Sequence, residues 1–221
     1  MFSEKFTTGE YYHVYNRGVD KRNIFNSEDD FRRFVESLYV FNNRDTGSAL
    51  SFKRRRRQSY SIDDQIVRIH LFALMPNHYH LLIKEIREGG ISFFMQRLGT
   101  SYTKYINLKE NRTGHLLESG FKTRHVQSQT HLEHLTRYIH LNPLDLLESG
   151  WKTNPIQNKT STSTFLSSYQ WSSFYYYYNS IESSFLDQSL LKNLFSSPQD
   201  HLHYMFQHNA FPKSNIYSIK S

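Results

Sequence analysis

The feature that most constrains this chain is the apolar stretch from Ile66 to Lys84, IVRIHLFALMPNHYHLLIK, divided by the turn dipeptide Pro76-Asn77. β-branched and aliphatic residues on both sides of a tight connection predict a hairpin, with one strand over Ile66 to Met75 and a second over His78 to Lys84. Alternation along the second strand sends His78, His80 and Leu82 to one face and Tyr79, Leu81 and Ile83 to the other. That other face is wholly apolar and needs helices to cover it, which leaves the histidine face free for a site. Two imidazoles converging on a strand read as part of a metal site, or equally as histidines satisfied by hydrogen bonds or lying at a surface.

The rest of the chain supplies the partners such a hairpin needs. Tyr11 to Tyr15 is aromatic and β-branched and runs into Asn16-Arg17-Gly18, a strand followed by a turn. Ser27 can cap a helix whose first turn holds Glu28, Asp29 and Asp30 and whose apolar stripe is Phe31, Phe34, Val35 and Leu38. Residues 42–64 are polar and aperiodic around the run Lys53-Arg54-Arg55-Arg56-Arg57, an expected exposed basic loop inserted in the domain. A helix is expected from Ser92 to Lys109, with Phe93, Phe94, Leu98, Tyr102, Tyr105 and Ile106 as its stripe. Another is expected from Thr130, where Thr130-His131-Leu132-Glu133 has capping-box spacing, on a stripe of Leu132, Leu135 and Ile139. Pro143 should stop it near Asn142. Beyond Asn154 Ser, Thr and Tyr dominate, and only Leu190, Leu191, Leu194 and Phe195 suggest a short helix. One catalytic domain over residues 1–154 and a partly ordered C-terminal extension over 155–221 follow, with no internal repeat.

Composition narrows the function. The chain carries 27 Lys and Arg against 20 Asp and Glu, a net charge of +7 that favours polyanionic partners such as nucleic acid. It has no cysteine, so disulfides, thiolate catalysis and cysteine zinc sites are excluded. Nothing approaches the roughly 18 uninterrupted apolar residues of a membrane span, and the first residues lack an apolar signal core. A cytoplasmic, soluble protein with no membrane partner is the expectation.

Tyr138 and Asn142 are four residues apart at the end of the capped helix and share a face, with His134 one turn earlier. If that helix end packs on the histidine strand, they supply a nucleophile and a third ligand. Spacing alone favours the plainer reading, a core-edge tyrosine and a C-capping asparagine.

The stretches YYHVYNRGVDKRNIF, LMPNHYHLLIKE, FMQRLGTSYTKYIN, RTGHLLESGFKT, RYIHLNP and YQWSSF occur in that order over about residues 9 to 180. Together they resemble the single-tyrosine, His-hydrophobic-His transposases of insertion sequences and their domesticated relatives associated with repetitive extragenic palindromes. The resemblance implies an α+β, ferredoxin-like domain with a central antiparallel sheet carrying the histidines and packed helices. By motif position it implies His78 and His80 as metal ligands, Tyr138 as nucleophile and Asn142 as the polar residue completing coordination. Relatives often carry Gln, Gly and Arg where this chain has Glu118, Ser119 and Gly120, so a cation near DNA is missing.

What the resemblance implies is a metal-dependent transposase and endonuclease that cuts and rejoins single-stranded DNA near hairpins through a 5′-phosphotyrosine. Mg²⁺ or Mn²⁺ is the expected cofactor, suited to two imidazoles and an amide oxygen. The DNA contacts expected from charge are Arg17, Lys21, Arg22, Lys53, Arg54, Arg55, Arg56, Arg57, Arg112, Lys122 and Arg124. Unpaired bases have Tyr11 and Tyr175 to Tyr178 to stack on. His134 and His140 are candidate bases for the phenol. The alternatives are a domesticated protein that binds DNA hairpins without cutting them, and a zinc hydrolase using His13 or His115 as a further ligand. The chain is expected to act as a monomer or homodimer.

Overall fold

A computed structural model describes residues 5–44, 52, 57–59 and 61–207. Strand β1 (Tyr11–Arg17) leads into helix α1 (Glu28–Val40), and the hairpin strands β2 (Val67–Met75) and β3 (His78–Glu85) follow. Helix α2 (Gly90–Lys109), strand β4 (Lys122–His125) and helix α3 (Gln129–Leu141) come next. The extension holds α4 (Lys159–Ser168), α5 (Ser173–Tyr178), α6 (Ser189–Leu194) and α7 (Pro198–Gln207). The strands form one antiparallel sheet in the order β2-β3-β1-β4, so the first 125 residues carry the βαββαβ arrangement of the expected ferredoxin-like fold.

The expected starts and stops have identifiable causes. Ser27 and Asp30 form a capping box at the head of α1, with Asp30 Oδ2 accepting from the Ser27 and Asn26 amides at 3.0 Å each. The α2 helix begins two residues earlier than its apolar stripe suggests because buried Glu85, at the end of β3, caps it. Glu85 accepts from the Gly90 and Ile91 amides at 3.0 and 2.8 Å. At Gly90 a Cβ would meet the Ile66 carbonyl oxygen at 2.6 Å, so only glycine fits there.

The α3 start differs from expectation. Its N-cap is Ser128, whose Oγ accepts from the His131 amide at 3.1 Å, so the helix opens at Gln129 and not at Thr130. Pro143 does end α3 at Leu141, yet Asn142 keeps helical angles and a 3₁₀ turn, Asn142–Leu146, carries the chain onward.

Both faces of the sheet are covered along β2 and β3. Tyr12, Val14, Phe72, Leu74, Tyr79, Leu81 and Ile83 pack against α1 and α2 in one core. Leu71, Ala73 and Leu82 pack against Leu135, Tyr138 and Ile139 of α3 in a second, to which Trp151, Leu166, Phe174, Tyr177, Leu191 and Met205 are added. The histidine face is therefore covered along β2 and much of β3 and stays open towards β4, where Lys122 and Arg124 are exposed. The apolar residues that flank the histidines on it have to be covered, and α3 with the extension covers them.

The extension carries more helix than its composition suggests. Serine- and tyrosine-rich segments fold because the edge strand β2 offers them backbone partners. The Asp187 amide donates to the Ile69 carbonyl at 2.8 Å, the Leu74 amide donates to the Trp171 carbonyl at 2.9 Å, and the Tyr169 hydroxyl donates to the Leu74 carbonyl at 2.7 Å. The edge is thus closed to another strand. Residues Lys53, Arg54, Arg55 and Arg56, the centre of the expected basic loop, lie outside the described residues.

Candidate active site at the histidine face

The antiparallel register builds the site. Tyr15 lies opposite His80, Arg17 opposite His78 and His13 opposite Leu82, so β1 presents His13, Tyr15 and Arg17 on the face that carries both histidines. The next strand adds Arg124 opposite His13 and Lys122 opposite Tyr15. Over this face α3 lays Tyr138, with Asn142 at the start of the 3₁₀ turn and Trp151, a few residues beyond it, packed alongside.

The four residues expected to work together are brought together within one chain. His78 and His80 have ring centres 5.1 Å apart, and the Tyr138 ring stands edge-on to His80 at 5.3 Å. Asn142 is fully buried; its Oδ1 lies 3.2 Å from His78 Nε2, and its Nδ2 donates to the Tyr138 carbonyl at 3.2 Å. His78 Nδ1 is 2.6 Å from Asn77 Oδ1, which leaves Nε2 as the atom facing Asn142. On His80, Nδ1 lies 2.8 Å from His13 Nε2, while Nε2 is buried with no hydrogen-bond partner.

Burial sets the charge states. It holds the His80 imidazole well below its ordinary value, with His13, His78 and Lys152 adding to the effect. His78 is pushed down to about 4, by burial first, against a hydrogen bond with Asn142 and with Lys152 and Arg17 reinforcing. His13 falls to about 3, again chiefly by burial. All three are neutral at pH 7, so each has a ring nitrogen lone pair to offer. The same burial raises the Tyr138 phenol to about 12; a hydrogen bond with Asn142 opposes the rise, and Asp145 and Tyr15 add to it.

These donors fit a divalent cation. A buried imidazole nitrogen without a partner, a second imidazole nitrogen and an amide oxygen form a neutral N, N, O set. Among the described residues no group of three or more His, Cys, Asp or Glu is placed to hold a metal, so the three-histidine arrangement of the zinc-hydrolase alternative is not formed. His115 lines a cleft of about 660 Å³ with Tyr79 and Asn16, on the opposite face of the sheet.

Other expected residues fall in different places. His140 faces away from the tyrosine, with Nε2 2.7 Å from Ser173 Oγ and its ring against Phe174 and His201. Tyr102 and Tyr105 belong to the other core, where their hydroxyls donate to the Ile24 carbonyl and to Asp30. Arg17 is close enough to His78 to depress its basicity. Lys21, Arg22, Arg57, Lys122 and Arg124 are exposed, Arg22 pairing with Asp20 at 3.5 Å and Lys122 with Glu118 at 3.3 Å. Arg112 donates to the His115 carbonyl at 3.1 Å and lines the cleft. The tyrosines proposed for base stacking are half-buried or buried, Tyr177 in the second core.

Two residues at the site were not expected from the sequence. Lys152 extends its ammonium to 5.9 Å from the Tyr138 ring centre while pairing with Asp145 at 2.7 Å. Trp151 packs on Tyr138 at 6.3 Å and donates its indole N–H to the same Asp145 at 2.6 Å.

Comparison with known proteins gives a family and a fold. Residues 8–142, more than half of the chain, match the family described as "Transposase IS200 like". Among solved structures, a REP-associated tyrosine transposase bound to a REP hairpin is similar over 100% of this chain and 99% of its own, with 11% identity and a TM-score of 0.58. That likeness is one of fold. No curated protein is similar enough to count as a match. No helix among the described residues is long and apolar enough to cross a membrane.

Proposed function

The chain belongs to the IS200-like transposase family, and from that premise we propose that it is a metal-dependent enzyme that cuts and rejoins single-stranded DNA beside hairpins, with Tyr138 as nucleophile. The observation that carries this reading is the convergence, within one chain, of the Tyr138 ring on His80 while Asn142 binds back to the tyrosine helix and faces His78.

His78, His80 and Asn142 would hold Mg²⁺ or Mn²⁺ through Nε2, Nε2 and Oδ1. When bound, the ion supplies positive charge to the non-bridging oxygens of the scissile phosphate. The Tyr138 hydroxyl oxygen attacks phosphorus, forming a 5′-phosphotyrosine bond as the bond to the 3′ oxygen breaks. The phenolic proton passes to solvent or a bound water, and the leaving oxygen departs as a 3′-hydroxyl after taking up a proton. A 3′-hydroxyl attacking the phosphotyrosine reverses these steps and joins a new strand.

Arg17, Lys122 and Arg124 lie on the strands beside the histidines and are proposed contacts for the phosphate backbone, with Lys21 and Arg22 just beyond the end of β1; Arg57 is exposed, and Arg112 lines the cleft on the opposite face. A hairpin with a single-stranded flank is the proposed substrate, in keeping with the REP hairpin bound by the similar structure.

The test is incubation of the full chain with labelled hairpin oligonucleotides and Mn²⁺ or Mg²⁺. A denaturation-resistant protein–DNA adduct is expected in wild type, absent with chelator and in Tyr138→Phe. Tight hairpin binding with no adduct under any condition would replace the enzyme with a hairpin-binding protein. An adduct that persists in Tyr138→Phe would move the nucleophile elsewhere.

A further inference from the structure

His13 lies on β1 beside the proposed ligand strand and takes no part in the chemistry proposed above. It is nonetheless in direct contact with the site. Its Nε2 lies 2.8 Å from His80 Nδ1, and the two rings stack at 5.0 Å with 26° between their planes. Both residues are all but inaccessible, at 1% and 0% exposure. Each has its remaining nitrogen, Nδ1 of His13 and Nε2 of His80, buried without a hydrogen-bond partner.

A neutral imidazole carries one proton, so the contact between the rings contains one. If His13 donates from Nε2, the proton of His80 resides on Nε2 and that atom cannot bind a cation. If His80 donates from Nδ1, its Nε2 presents a lone pair and the proton of His13 moves to Nδ1. Each arrangement leaves one buried N–H and one buried lone pair unpaired, so the protein's own atoms scarcely choose between them. A cation at His80 Nε2 is compatible with the second arrangement alone.

We propose that His13 is a positioning residue for the metal centre: by accepting from His80 Nδ1–H it fixes the tautomer and ring plane in which His80 Nε2 faces the His78–Asn142 pair. It is not itself a ligand, because the nitrogen nearest His80 is engaged in that hydrogen bond. The proposal rests on the reading of His78, His80 and Asn142 as metal ligands. Hydrogen-bond partners behind a ligating histidine commonly change metal affinity by ~10–100-fold when removed.

The experiment titrates Mn²⁺ into the full chain without DNA, followed by electron paramagnetic resonance, for wild type, His13→Leu, His13→Gln and His80→Ala. A glutamine places an amide oxygen near the position of Nε2 and keeps the acceptor; leucine removes it. His13→Leu should weaken Mn²⁺ binding by ~10–100-fold, and His13→Gln should restore it to within ~3-fold of wild type. Independently, long-range ¹H–¹⁵N spectra of the Zn²⁺-loaded wild type should place the His80 proton on Nδ1.

His13→Leu binding Mn²⁺ as tightly as wild type would overturn the positioning role and leave the metal site standing. Equal losses in the leucine and glutamine variants, or a His80 proton on Nε2 in the loaded protein, would overturn it too. Wild type and His80→Ala binding Mn²⁺ alike would instead remove the metal site itself.

Discussion

Ser173→Ala is expected to destabilise the protein by about 3 kcal/mol, through a single hydroxyl that ties the tyrosine helix, the edge strand and the extension together. The Phe72 amide donates to Ser173 Oγ at 2.9 Å, Ser173 Oγ donates to the Phe72 carbonyl at 3.2 Å, and His140 Nε2 lies 2.7 Å from the same oxygen. All three residues are at 0% exposure. Since the hydroxyl has one proton, the arrangement that satisfies every group has His140 donating from Nε2. Alanine removes the partner of a buried backbone N–H, a buried carbonyl and a buried imidazole N–H at once. At about 1 kcal/mol for each, the low end of the usual cost of an unsatisfied buried group, the loss is about 3 kcal/mol. For a chain of this length that lowers Tm by ~6–12 °C. Urea unfolding and thermal melts of Ser173→Ala measure it, with exposed Ser168→Ala as a control expected within ~0.5 kcal/mol of wild type. A loss under ~1 kcal/mol in Ser173→Ala would refute the claim that this hydroxyl joins the three elements.

Acid should weaken the attachment of the extension. His201 is fully buried, stacks on Phe195 at 4.2 Å, and is pushed by burial down to about 3. Below pH ~6.5 the unfolded chain takes up a proton that folded His201 refuses, so stability falls by ~1.4 kcal/mol per pH unit from this residue alone. His201→Phe should lose ~2 kcal/mol less than wild type between pH 7 and pH 5 in urea unfolding; equal losses would show that His201 is protonated in the fold. At the proposed active site, Lys152→Ala should slow single-turnover adduct formation about tenfold while leaving the melt unchanged, since its ammonium lies over the Tyr138 ring. Unaltered rates would restrict Lys152 to its pair with Asp145.

What could be read in the sequence divides by the range of the interaction that decides it. The hairpin and the alternation that puts His78 and His80 on one face are local, as are the capping box at Ser27 and the apolar stripes of α1 and α2. The start of α3 differs from the expected one because Ser128 and Thr130 are both good caps, and Glu133, the expected box partner, instead accepts from Gln129 at 3.0 Å. The place of His13 depends on which residue of β3 it faces, and a register is a property of two strands, not one. Lys152 reaches Tyr138 only because Asn142 stays helical before a proline and the chain turns again. The extension helices have poor propensity, and they are held by burial of Leu166, Phe174, Leu191 and Met205 in the second core and by bonds from Tyr169, Trp171, Ser173 and Asp187 to Ile69, Phe72 and Leu74 of the edge strand. None of those partners is visible from within residues 155–207.

The burial that assembles the site acts in opposite directions on its two kinds of group. It keeps His78 and His80 neutral, which is the state in which an imidazole can give a lone pair to a metal. It also raises the Tyr138 phenol to about 12, so that at pH 7 only about one molecule in 10⁵ carries a phenolate, a cost of about 7 kcal/mol. A hydrogen bond with Asn142 opposes the rise, while Asp145 and Tyr15 add to it. The site is therefore arranged to receive positive charge and not to ionise the proposed nucleophile unaided. Asn142 sits where both demands meet, with Oδ1 towards His78 and its amide bound to the tyrosine helix, so any shift of one partner is passed to the other.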